Sequence, residues 1–359
     1  MKTAVRCESG YYPARWWEPL AAGKVQCKLC PRACRIPPGS HGFCVVRENL
    51  AGKLYSKVFG QTTGLAVDPI EKKPLYHFYP GTQILSFGTI GCNLGCKFCQ
   101  NWHISKVRHQ VYLMHEIAAE SIVRKAKEHN CIGIAYTYNE PVIFGEWVMD
   151  IARLARERGL KNVLVTNGYI SPVARKDLYR DIDAVNVDLK AFHKSFYRKL
   201  TLSRLDPVLD TLRWLVRETD VWVEITTLII PGENDGDSEL DSLTKFVARE
   251  LNPDVPVHFT AFHPDFKMLD YLPTPVETLI RARDIAYRNG LHYVYTGNIY
   301  TSVGQKTVCH HCGKMVIHRN IYYVQKPDMK GNRCGFCGFR IPGHFGREPV
   351  HPRSQSVIV

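Results

Sequence analysis

Apolar and polar positions alternate in a repeating order between about residues 83 and 296. A short apolar run is followed by a polar turn, and then by a segment whose apolar residues recur three and four apart. The short runs at 83–89, 132–137, 162–166, 184–188, 222–229 and 257–262 read as strands. Helical spacing fills the intervals at 115–129, 145–158, 172–180, 207–217, 238–251 and 278–289. A seventh β-like stretch, 293–296, follows and is a candidate to close one edge. Strands that alternate with amphipathic helices pair in parallel, so the expected fold is α/β, a partial (β/α)6 TIM-like barrel.

The flanks lack this periodicity. Both are rich in cysteine, which divides the chain into an N-terminal cysteine-rich segment (1–80), a core (81–300) and a C-terminal segment (301–359). No internal repeat or low-complexity tract interrupts them.

Parallel barrels carry their working residues in loops at the C-terminal ends of the strands. Here Gly91-Cys92-Asn93-Leu94-Gly95-Cys96-Lys97-Phe98-Cys99 follows the first strand and Tyr138-Asn139-Glu140-Pro141 the second. Thr166-Asn167-Gly168 follows the third, Asp188-Leu189-Lys190 the fourth, Pro231-Gly232 the fifth and His263-Pro264 the sixth. Six polar or Gly/Pro motifs at equivalent positions describe one mouth.

Cys92, Cys96 and Cys99 are the most informative of these residues. A [4Fe-4S] cube normally takes four cysteines, so CxxxCxxC without a fourth nearby leaves one iron open for chemistry. A zinc site favours four ligands and paired CxxC knuckles, and a disulfide framework would not leave an odd cysteine in so tight a loop. The C-terminal set, Cys309-x2-Cys312 and Cys334-x2-Cys337, does have paired knuckles with ribbon-like spacing and reads as structural zinc, His310 and His311 being bystanders. The N-terminal set, Cys27, Cys30, Cys34 and Cys44, suits zinc or a second iron–sulfur cluster. Cys7 and Cys131 stand alone and read as free or buried thiols.

CxxxCxxC with the aromatic Phe98 before its last cysteine resembles the radical S-adenosylmethionine (SAM) superfamily. The later motifs are similar to those of the pyruvate formate-lyase activating enzyme group. Together with Cys-x-Leu-Cys-Pro-Arg-x-Cys near the start and the C-terminal quartet, the pattern most resembles the radical SAM member of the AmmeMemoRadiSam system. The resemblance implies a [4Fe-4S] cluster and SAM, whose reductive cleavage gives a 5′-deoxyadenosyl radical that abstracts hydrogen from a substrate.

Residue by residue, the resemblance implies that Glu140 accepts from the SAM amino group, with Tyr138 and Asn139 standing where the family has two glycines. It implies that Asp188 and Lys190 form a polar clamp at the methionine carboxylate, with His263 near the same group. Thr166 and Asn167 match a cofactor-binding motif. Val165 stands where activating enzymes carry an aspartate, so no cation site is expected there. The implied partners are an electron donor of ferredoxin or flavodoxin type and Memo-like and AMMECR-like proteins. A glycyl-radical activase acting on a partner protein and an RNA-modifying enzyme are the alternatives.

Composition adds boundaries. The 359 residues, 45% of them apolar, suffice for a full core, and no apolar run reaches membrane-spanning length. Residues 1–12 lack a signal-peptide core, so a cytoplasmic location is expected, in keeping with reduced cysteines. The net charge of +13 is spread without long like-charge runs. It is compatible with RNA, an acidic partner or an acidic substrate, and it defines a non-enzyme alternative, a metal-stabilised nucleic-acid-binding protein.

Overall fold

The apolar runs of the core pair side by side in chain order in a computed structural model, which describes residues 11–107, 114–320, 322–326, 328–346 and 357–359. The parallel strands are β1 (Gln83–Phe87), β2 (Gly133–Tyr136), β3 (Lys161–Thr166), β4 (Ala184–Asp188), β5 (Trp222–Ile229), β6 (Val257–Ala261) and β7 (Val294–Gly297). Six βα units thus form the expected partial barrel. The seventh segment extends the sheet beside β6. At the opposite edge Leu65–Pro69 pairs antiparallel with β1, and Val357–Ile358 pairs with Leu65–Pro69 in turn.

Helices α1 (Ala119–Glu128), α2 (Gly145–Glu157), α3 (Pro172–Leu178), α4 (Lys194–Leu200), α5 (Asp206–Glu218), α6 (Asp237–Phe246) and α7 (Val276–Arg288) connect the strands. Their buried stripes follow the expected spacing: Ala119, Ile122, Val123 and Ala126 in α1, and Val148, Ile151, Ala152 and Ala155 in α2. Packed on the outer face of the sheet, these stripes join Leu85, Phe87, Ile134 and Tyr136 in the main core.

Two expectations change in detail. The helix expected from residue 115 starts at Ala119, because His115–Glu116 pairs antiparallel with Gln61–Thr62. The helix expected over 238–251 runs as α6 to Phe246 and continues as a π-helical turn, Val247–Leu251.

Inside the barrel, at the N-terminal ends of the strands, Ile70, Leu75 and Phe78 pack on Ile84, Ala135, Val163 and Ala184. Glu224 of β5 anchors this plug: it accepts from the Tyr76 and His77 N–H groups at 2.9 and 2.8 Å and meets His258 at 2.7 Å. The C-terminal segment docks on the same end. Its Arg319, fully buried, donates to Tyr76 O and Thr307, and Val316, Ile317 and Phe345 cluster with Tyr76, Tyr293 and Tyr295. The floor is therefore closed by packing, which leaves the opposite end for the cysteine loop.

At that end lies the N-terminal module, built on two small antiparallel sheets. Its Arg47 forms a buried ion pair with Glu146 of α2 at 2.9 Å. Cys7 lies outside the described residues. Cys131 is buried, and no helix among the described residues is long and apolar enough to cross a membrane.

Candidate cluster and cofactor site

The loop from Gly91 to Cys99 leaves the C-terminal end of β1 and is held by the main chain of the segment that follows β4. Gly95 N–H donates to Thr201 O at 2.8 Å and Lys97 N–H to Leu200 O at 2.9 Å. Cys96 is buried, while Cys92 and Cys99 are half-buried. Burial pushes the Cys92 thiol up to about 12 against the pull of Lys106, so a thiolate here needs a stronger cation than a lysine nearby. A metal centre supplies one. Cys96 is raised for the same reason, with Lys190 opposing.

The Tyr138–Pro141 turn is the loop's clamp. Tyr138 adopts a left-handed φ of 68°, so the turn keeps a glycine-like backbone although a tyrosine occupies it, and its hydroxyl donates to Asp68 at 2.8 Å. The Asn139 side chain accepts from Thr89 N–H at 3.0 Å and donates toward Thr89 Oγ1, Ile90 O and Gly91 O at 3.0–3.2 Å. It thereby fixes the entry to the cysteine loop.

Glu140 is buried and accepts from Val142 N–H, the Thr166 hydroxyl and Asn167 N–H at 3.0, 2.6 and 2.8 Å. Burial raises its carboxyl to about 7, and these hydrogen bonds work against the rise. The acid therefore caps the 3-10 turn Pro141–Phe144 and joins two strand-end motifs at once. Asn167 in turn donates to Asn93 Oδ1 at 2.9 Å and lies 3.9 Å from the Cys92 sulfur.

β4 ends at Asp188, and Lys190 lies just beyond, its Nζ 2.9 Å from Asp188 Oδ2 and 5.9 Å from the Phe98 ring centre. Burial acts to lower the Lys190 pKa, but Asp188 and Cys96 outweigh it and hold the ammonium well above its usual range. Phe98 is itself buried against Phe196. The fold thus brings Cys92, Cys96, Cys99, Phe98, Glu140, Thr166, Asn167, Asp188 and Lys190 into one connected group. His263 is exposed and meets the carbonyl of Asn298 at 3.2 Å, outside those contacts.

Sequence reasoning passed over Asn93 and the bonding of Asn139, because both act through contacts with distant turns. It also passed over Thr226 Oγ1, which is buried without a hydrogen-bond partner and belongs to the residue paired in register with Asp188. Buried unpartnered oxygens are uncommon in folded proteins and fit a ligand with polar groups. The donor set also fits a cluster. Among the described residues, two groups of three or more potential ligands have all donor atoms within 4.8 Å of one another: Cys309/Cys312/Cys334/Cys337 and Asp254/His292/His310. Cys92, Cys96 and Cys99 are spread more widely, as thiolates that each bind a separate iron must be.

In the C-terminal segment, Cys309 and Cys337 have sulfurs 3.7 Å apart, and Cys312 and Cys334 3.8 Å. His310 stacks on His292 and His311 on Phe339, outside the quartet.

The model of the radical SAM superfamily matches residues 87–243. An uncharacterized protein of Methanocaldococcus jannaschii is 44% identical over 330 residues, covering 91% of this chain and 98% of that protein. The pyruvate formate-lyase 1-activating enzyme of Escherichia coli K12 is 24% identical over 230 residues, covering 59% and 91%. Among solved structures, a radical SAM methyltransferase from Sphaerobacter thermophilus shares the fold with a TM-score of 0.51 at 17% identity, covering 85% and 81%. Residues 87–243 are a radical SAM domain, and the chain is an enzyme related to the pyruvate formate-lyase activating enzymes. That domain implies a [4Fe-4S] cluster and SAM.

Proposed function

We propose that Cys92, Cys96 and Cys99 hold the cluster and that Phe98, Glu140, Thr166, Asn167, Asp188 and Lys190 bind SAM beside it. When bound, cluster and SAM supply reductive cleavage of the sulfur–C5′ bond and a radical that takes hydrogen from a substrate. The chain supplies three thiolates, which would leave the fourth iron open to the methionine end of SAM. Glu140 accepts from the amino group, Lys190 offers its ammonium to the carboxylate, and Asp188 holds that ammonium in place. Asn139 and Asn167 keep the loop in register with these groups. The observation that carries this reading is the chain of hydrogen bonds from Glu140 through Asn167 and Asn93 to the cysteine loop.

The basic cleft beside the loop, lined by Lys97, Lys106, Lys267, Phe43 and Phe266, supports approach by an acidic electron donor of ferredoxin or flavodoxin type. The motif pattern along the chain supports action with Memo-like and AMMECR-like partners in a cytoplasmic system. Relationship to activating enzymes supports a second reading, installation of a glycyl radical on a partner protein. Structural zinc at Cys309, Cys312, Cys334 and Cys337 is part of the proposal, with 1–80, 81–300 and 301–359 as its domains.

The test is 5′-deoxyadenosine formation after anaerobic assembly and reduction. A yield that depends on Cys92, Cys96 and Cys99 is expected. A triple alanine variant that still forms deoxyadenosine at the full rate would refute the assignment.

A further inference from the structure

The N-terminal cysteines differ from the C-terminal quartet in how they are arranged. Cys27, Cys30, Cys34 and Cys44 line one cavity, with Leu29, Ile36 and Ile143 among its apolar walls. Local main-chain bonds set the positions. Cys27 N–H donates to Cys34 O at 2.9 Å, and Ala33 N–H closes a turn on Cys30 O at 3.1 Å. Cys44 enters from the loop before the strand Arg47–Leu50.

Two bonds of about 2.3 Å to one tetrahedral zinc place sulfurs about 3.8 Å apart. The C-terminal pairs, at 3.7 and 3.8 Å, have that spacing. The N-terminal four do not. Among the described residues they are absent from the groups whose donors converge within 4.8 Å, as are Cys92, Cys96 and Cys99. No three of their sulfurs lie within 4.8 Å of one another, and all four residues line the cavity. A single ion needs no space beyond its bonds, whereas a cubane fills one and sets a different iron under each thiolate.

A second observation concerns charge. Arg47 lines the same cavity and is fully buried. Its Nη1 and Nη2 donate to Glu146 and Arg15 O, but its Nε has no hydrogen-bond partner. A buried N–H without an acceptor is costly, and the sulfurs of an anionic cluster in this cavity would supply one.

We infer that Cys27, Cys30, Cys34 and Cys44 bind a second [4Fe-4S] cluster, with Arg47 as its internal cation. This site adjoins the first one. Gly91, the neighbour of Cys92, has φ 86°, and a Cβ there would lie 2.3 Å from the Cys44 carbonyl oxygen. Arg32 Nε donates to Asn93 O, so the N-terminal module and the SAM-cluster loop are in direct contact.

The test is metal analysis and Mössbauer spectroscopy on the full chain, produced with iron–sulfur assembly proteins and purified without oxygen. About eight iron per chain are expected, in the form of two [4Fe-4S] clusters. The C92A/C96A/C99A variant leaves the N-terminal module untouched and is expected to retain about four iron with a [4Fe-4S] spectrum. The C30A/C34A variant is expected to lose about four. About four iron and a second zinc in the full chain, or a C92A/C96A/C99A variant without iron, overturns the inference whether or not C30A/C34A folds. Deoxyadenosine formation by the full chain reports on the SAM site separately.

Discussion

Glu140 Oε1 accepts a hydrogen bond from the Thr166 hydroxyl at 2.6 Å, and this contact ties the turn after β2 to the turn after β3. Burial has raised the carboxyl to about 7, with Asp188 adding to the rise, and Cys92 and Tyr179 are the other titratable groups that sense Glu140. An acid raised in this way keeps its proton longer in the folded chain than in the unfolded one. Its contribution to stability is therefore present at low pH and is lost as pH rises through about 7. A ligand amino group that donates to the carboxylate has the opposite preference. SAM affinity is expected to rise between about pH 6 and pH 8, and Glu140→Gln to flatten the profile and weaken binding about tenfold. Calorimetry on the cluster-loaded protein measures both; the same slope in wild type and variant would assign Glu140 to capping alone.

Asn139 makes a different prediction, because it touches the loop and not the ligand. Its side chain satisfies Thr89 N–H and reaches Ile90 O and Gly91 O. Asn139→Ala leaves these groups to be rehydrated or unpaired, at a cost of about 1–3 kcal/mol concentrated where the cysteine loop begins. Lower iron retention through gel filtration is expected, with a drop in melting temperature. Full iron content together with an unchanged melting curve would contradict it.

Why some elements were legible and others not follows from where their contacts lie. β4 and β5 have the expected bounds because β-branched residues, Val185 and Val187 in β4 and Val223, Ile225 and Ile229 in β5, dominate short buried segments whose polar members Asn186 and Glu224 are buried with them. α4 was passed over: it has seven residues, three of them basic, and only Phe196, Tyr197 and Leu200 are buried, too few to set a period. Leu65–Pro69 joins the main sheet through residues of β1, and no local pattern announces such a partner. The site divides in the same way. Glu140, Asp188 and Lys190 could be singled out as candidates because their motifs sit at strand ends, whereas the bonds of Asn139 and Asn93 to distant turns exist only in the folded chain. Arg47 carries no motif and lies in a short strand of a cysteine-rich segment.

The Arg47–Glu146 pair joins the N-terminal module to α2 with both side chains at most 2% exposed. Removing Glu146 breaks a buried ion pair that little water reaches, so Glu146→Ala is expected to cost about 3–5 kcal/mol. The Arg15 N–H, which donates to Glu146 at 2.7 Å, is unpaired by the same change. Denaturant unfolding gives the number. A loss below about 1 kcal/mol would mean that water reaches the pair.

The C-terminal quartet should behave as a structural clip remote from the chemistry. Its sulfur spacings suit one zinc, and its segment docks through Arg319, Ile317 and Phe345 on the floor of the barrel, at the opposite end from Cys92. Metal binding at such a site is largely folding free energy, so Cys309→Ser or Cys334→Ser should release the segment and expose Tyr76 and Tyr293. Faster proteolysis after residue 300 and loss of about one zinc per chain are expected, with the absorption of the remaining iron unchanged. The effect on SAM cleavage should follow the loss of stability and vanish at low temperature. Loss of iron in place of zinc from either variant would assign this quartet to iron–sulfur chemistry instead.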